Sequence, residues 1–247
     1  MTHTKSTVAL VGVCGGAGAT RLTAEIGATL ARAGRDVGII DLAIATQGFS
    51  DYVPGEINPD VTAVLADGEP FEAAMVELPW ETEGKIAVCP ARAPFERLAR
   101  AGTAGAARTL EDVLTQASES FDVVLLDTPP VTTNAAVAGV TQADRIGLVV
   151  PPSERGVNAL QRVRGRLTDV GATADTVVLA NRADAEHPVG SADATIPESN
   201  QTTIEGKPAV LDPDTAFAPA IAEAASSLLD EPLELSFPET GLLNRLP

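Results

Sequence analysis

The chain has 247 residues, 45% of them apolar, which is enough for one large core and too much for a disordered polypeptide. Its 34 acidic and 17 basic residues give a formal charge of −17, so it is not a protein that coats nucleic acid by bulk charge. No run approaches the ~20 uninterrupted apolar residues of a membrane-spanning helix, and the start Met1-Thr2-His3-Thr4-Lys5-Ser6 lacks the apolar stretch of a signal peptide, so a cytoplasmic protein is expected.

In chain order, apolar runs with little polar alternation predict buried strands at Thr7–Val13, Val37–Ile40, Ile86–Cys89, Asp122–Leu126, Ile146–Val150 and Thr176–Leu179. Between them, amphipathic stretches predict helices at Thr20–Ala33, Asp60–Ala66, Phe71–Val76, Ala104–Ser118, Thr132–Thr141, Arg155–Val170 and Thr215–Leu229. A strand-helix rhythm of this kind implies a mostly parallel, doubly wound α/β sheet flanked by helices. Periodicity fades after Leu229 around Pro232 and Pro238, which divides the chain into a domain over residues 1–230 and a tail over 231–247.

The first strand runs into Cys14-Gly15-Gly16-Ala17-Gly18-Ala19-Thr20-Arg21 and then into a helix. Glycines at such a turn let backbone N–H groups face inward toward phosphate oxygens, and the helix N-terminus adds the positive end of its dipole. Tight strand-to-helix turns also use glycine for packing alone, so the neighbouring signals matter. The second strand ends at Asp41, and Phe121-Asp-Val-Val-Leu-Leu-Asp127 is an apolar strand that ends in a carboxylate, as a magnesium site with Thr20 requires. Val177-Val-Leu-Ala-Asn181-Arg182 ends a later strand with an amide suited to a base edge, and Ala194-Thr-Ile-Pro197-Glu198 and Glu205-Gly-Lys207-Pro208 follow in order.

This ordered set resembles the ParA/MinD family of deviant Walker A P-loop ATPases, of the SIMIBI class, from about Thr7 to Leu229. The resemblance implies a P-loop sheet, ATP and magnesium as ligands, and a nucleotide-dependent homodimer that positions division, chromosome or surface machinery together with partner proteins. It assigns nucleotide contacts to Gly15, Gly16, Ala17, Gly18, Ala19, Thr20, Arg21, Asn181 and Arg182, and the metal to Thr20, Asp41 and Asp127. Three positions depart from the family pattern. Cys14 and Ala19 stand where the family has its two lysines, and Ala43 stands where its second carboxylate orients the attacking water. All three losses fall on phosphoryl transfer, a reaction that depends on positioning and charge.

The leading expectation is therefore a pseudo-ATPase scaffold or adaptor, with ATP and magnesium doubtful as cofactors. One alternative is an active, dimerising ATPase in which an arginine or Lys207 completes the charge; Arg21 lies about 100° around the helix from Thr20. Another is a DNA- or partner-binding module that uses Arg155, Arg162, Arg164 and Arg166, although a solvated helix face explains these residues without DNA. The tail Thr240–Pro247, with three leucines and Arg245, offers at most a weak membrane contact or a packed tail. Cys14 is expected to fill space where a lysine is absent, Cys89 to lie in the core, and most of Phe71, Trp80 and Phe95 to pack inside. Lysine occurs only at Lys5, Lys85 and Lys207, and this scarcity beside acidity spread along the whole chain suits a halophile, whose concentrated salt screens self-repulsion; an ordinary acidic protein is the plainer reading.

Overall fold

The computed structural model describes residues 4–201, 207–212 and 216–237. Eight strands form one sheet: β1 (Ser6–Gly12), β2 (Val37–Asp41), β3 (Val76–Glu77), β4 (Ile86–Cys89), β5 (Val123–Thr128), β6 (Arg145–Val150), β7 (Asp175–Asn181) and β8 (Ala194–Ile196). Their order is β3-β4-β2-β5-β1-β6-β7-β8, and every pairing except β3 with β4 is parallel. The expected doubly wound sheet is thus present. Its central strands are covered on both faces, which is why they read as unbroken apolar runs.

Strand periodicity still sorts the two faces. In β1, Val8 and Leu10 join one cluster with α1 (Ala19–Arg32) and α8 (Phe217–Leu229). Ala9 and Val11 point the other way, into a cluster with α2 (Val61–Asp67), α5 (Ala104–Ser120), α6 (Asn134–Gln142) and α7 (Glu154–Asp169). The same alternation repeats in β5, where Val123 and Leu125 face α1 while Val124 and Leu126 face α5 and α6. Leu233 and Phe237, beyond α8, pack on the α1 side. Among the described residues no helix is long and apolar enough to cross a membrane; the segment 240–247 lies outside them.

Three short elements depart from the sequence expectations. The helix expected over Phe71–Val76 stops at Ala74 (α3, Phe71–Ala74), and Val76–Glu77 instead pairs antiparallel with β4. Residues Phe95–Ala101 form α4, in which only Ala101 is buried so that no apolar stripe marks it, and β8 has only three residues. Phe95 also departs from the expectation of core packing: it is 84% exposed, whereas Phe71 and Trp80 are buried.

Asp60 organises the α2 side. Its buried carboxylate caps α2 by accepting from Ala63 N at 3.0 Å, accepts from Arg92 N at 2.7 Å, and pairs with Arg97 Nη1 at 3.0 Å. It thereby ties α2 to the chain leaving β4 and to α4. Removing the carboxylate takes away the α2 cap and leaves Arg92 N without its acceptor, at a cost of about 2–4 kcal/mol, while Arg97 keeps Asp67 at 3.3 Å. We expect Asp60→Ala to lose stability on this scale in urea unfolding. Asp67→Ala removes the more exposed partner of Arg97 and Arg100 and is expected to cost less than about 1 kcal/mol.

Candidate functional site

The site begins where β1 must become α1 within a few residues. Gly16 (φ +75°) and Gly18 (φ +92°) take left-handed conformations that a side chain would strain, and Gly18 is also the N-cap of α1. A Cβ on Gly15 or Gly16 would meet nothing within 4 Å, so the loop is open on that side. Among the described residues, the N–H groups of Gly15, Gly16, Gly18, Ala19 and Thr20 have no acceptor, while Ala17 N donates to Cys14 O at 3.2 Å. Five free donors around an open loop at a helix N-terminus match the oxygens of a phosphate. By this test the chain fits a nucleotide's phosphates.

The loop is braced from behind by β7. Asn181 Nδ2 donates to Ala17 O at 2.8 Å, and the guanidinium of Arg182, itself at φ +57°, donates to Gly16 O. A Cβ on Gly18 would sit 2.4 Å from Asn181 Nδ2, so glycine is needed there for close approach. Here Asn181 spends its amide hydrogen on the loop, which leaves its carbonyl oxygen for a base edge.

In front of the loop lie two buried carboxylates, brought side by side because Asp41 and Asp127 are register partners at the ends of β2 and β5. Thr20 Oγ1 donates to Asp127 Oδ2 at 2.6 Å, so Thr20 and Asp127 together form a hydroxyl-carboxylate set suited to magnesium. Asp41 instead accepts from Ala43 N at 3.0 Å through Oδ1 and from Ala91 N at 3.3 Å through Oδ2. Burial pushes the Asp41 carboxyl up to about 7 against the relief of those N–H groups. Asp127 is also raised, by burial first and then by the charge of Asp41. Two neighbouring carboxylates without a cation cannot both ionise easily, and the pair retains a proton near neutrality.

The cations that the sequence leaves as candidates are engaged elsewhere. Lys207 Nζ pairs with Asp212 at 2.9 Å. Arg21 Nε donates to Glu25 Oε1 at 3.3 Å, and its guanidinium lies 5.9 Å from the Phe217 ring centroid. Cys14 is a half-buried free thiol, and Cys89 is fully buried, as expected for core. Arg155 and Arg162 are exposed and Arg164 and Arg166 half-buried on α7, with no carboxylate partner among the described residues.

Sequence reasoning missed Glu25. It is buried in α1 yet accepts from Ala209 N and Val210 N at 3.0 Å each, which binds the 207–212 segment to the helix behind the loop. An acidic residue inside an otherwise apolar helix face was the available signal.

The raised Asp41 carboxyl has a consequence for stability without ligand. The folded chain keeps a proton there that the unfolded chain releases near its ordinary value of about 3.9, so stability falls as pH rises from about 4 to about 7 and levels off above. Asp41→Asn is expected to narrow the drop in melting temperature between about pH 5 and about pH 8. An unchanged drop would mean that Asp41 is charged in both states.

Comparison with known proteins agrees with this geometry. The AAA domain family matches residues 5–177. The maintenance of carboxysome distribution protein A of Synechococcus elongatus is 28% identical over 160 residues, 63% of this chain, and the chain spans only 62% of that relative's length. MinD in the MinC:MinD cell division protein complex of Aquifex aeolicus superposes with a TM-score of 0.73 at 25% identity, covering 94% of this chain and 98% of that one. The septum site-determining protein MinD of Pyrococcus horikoshii, complexed with Mg-ADP, shares the fold at 22% identity, with a TM-score of 0.72 over 90% of this chain and 95% of that one. With its loop, its paired strand-end carboxylates and this match over most of its length, the chain belongs to the ParA/MinD family of P-loop ATPases.

Proposed function

We propose that this protein is a pseudo-ATPase of the family, a scaffold or adaptor in intracellular positioning that keeps the P-loop frame and has given up hydrolysis. The observation that carries this reading is the joint presence of Cys14, Ala19 and Ala43 in a frame whose glycines, Thr20 and Asp127 are otherwise set for phosphate and magnesium. Phosphoryl transfer needs cations on the phosphates and a group that orients the attacking water. Neither lysine position supplies a cation, and Ala43 has no polar side-chain atom to hold water.

The remaining residues support binding and orientation. Loop N–H groups would receive phosphate oxygens, Thr20 and Asp127 would hold magnesium, and Asp41 would stand beside Asp127 as a buried carboxyl. Magnesium, when bound, would neutralise phosphate charge. The same face suits a homodimer that docks protein partners, in keeping with relatives named for the MinC:MinD complex and for carboxysome distribution. A halophile's cytoplasm accounts for the charge of −17.

The test is steady-state phosphate release from the purified chain in high salt. We expect turnover at background, unchanged by Asp127→Ala, and a rise of about tenfold or more when Ala19→Lys and Ala43→Asp are combined. Release at the rates of active relatives, abolished by Asp127→Ala, would overturn the reading.

A further inference from the structure

A cavity of about 350 Å³ opens beside the phosphate loop, lined by Gly16, Gly18, Arg21, Arg182, Pro197 and Phe217 among others. That volume lies at the lower end of small-molecule sites, about 300–1,000 Å³. Arg21 is its anchored cation. Its Nε is held by Glu25, its plane lies near the Phe217 ring, and Glu25 is itself fixed by two backbone N–H groups. The terminal nitrogens of Arg21 donate to no described residue, so a planar fork with its stem already immobilised stands on the cavity wall. Arg182, by contrast, has spent a terminal nitrogen on Gly16 O.

Charge is therefore distributed differently at the two ends of the loop. At the front, Thr20 faces the carboxylates of Asp127 and Asp41, and no lysine or arginine offsets them. On the flank, toward Pro197 and Phe217, stand two guanidinium groups, that of Arg21 paired with Glu25, together with the exposed carboxylate of Glu198. Without a bound cation, a nucleotide seated on this loop would meet side-chain attraction at its nucleoside end and none at a terminal phosphate placed at the front.

We infer that Arg21 makes this a nucleotide pocket indifferent to the γ-phosphate: it grips a phosphate at the cavity end of the loop, so that a nucleoside diphosphate binds as well as a triphosphate. The inference rests on the pseudo-ATPase reading and adds the ligand class and the residue that selects it. Such a site would report the presence of nucleotide and not its hydrolysis state.

Titration calorimetry on the full chain in high salt, with ADP, ATP and pyrophosphate and with or without magnesium, tests it. ADP and ATP are expected to bind within about threefold of each other, and pyrophosphate at least about tenfold more weakly than ADP. Arg21→Gln is expected to weaken ADP by about tenfold or more, and Arg21→Lys, which keeps the charge and loses the fork, by less. A thermal melt of each variant confirms that it is folded. ATP bound more than about tenfold tighter than ADP, an Arg21→Gln protein with unaltered ADP affinity, or no binding of any nucleotide at about 1 mM would each overturn the inference. Absence of binding leaves the pseudo-ATPase reading standing, whereas phosphate release at active rates defeats that reading whatever ADP does.

Discussion

Everything at this site follows from one backbone constraint: a buried parallel strand must hand over to a helix within seven residues, Gly12 to Ala19, without a side chain in the way. The turn succeeds only because Gly16 and Gly18 accept left-handed conformations, and it leaves the N–H groups of Gly15, Gly16, Gly18, Ala19 and Thr20 without an acceptor among the described residues. Those donors are a consequence of the fold and need no catalytic residue to exist. A chain can therefore lose the chemistry of its ancestors while the anion-shaped concavity persists, since the sheet's own geometry regenerates it.

Electrostatics then decide what the concavity can do. Asp41 and Asp127 are brought together by strand register and buried by the helices above them; burial raises both carboxyls, the charge of Asp41 raises Asp127 further, and that of Asp60 adds to Asp41. Here the balance is left to the backbone N–H groups of Ala43 and Ala91 and to the hydroxyl of Thr20. Positive side chains have instead collected on the flank, where Arg21 and Arg182 border the cavity.

The loop, the strand-end carboxylates and the sheet were legible in the sequence because each is written in consecutive residues: glycines after an apolar run, an aspartate at the end of another. Glu25 was not, since its partners Ala209 and Val210 lie 184 and 185 residues away and nothing local signals them. The bracing of the loop by Asn181 and Arg182 was visible only as a polar strand end; that its donors face the loop carbonyls depends on the β6–β7 register. Helix α4 escaped because only Ala101 of it is buried, so no apolar stripe marks it, and strand β8 because three residues carry less than two periods of a strand pattern. Exposure of Phe95 follows from that missed helix, which begins at Phe95 itself.

The tie between Glu25 and the 207–212 segment bears on where this protein can be divided. The matched family region ends at residue 177, inside β7, yet the buried Glu25 carboxylate it contains takes two N–H donors from the turn at Ala209–Leu211, and the face of the sheet beneath α1 is sealed by α8. A polypeptide ending at residue 177 would lose those two donors and leave the apolar flank under α8 open to water, so the packed unit runs past the matched region to Leu229.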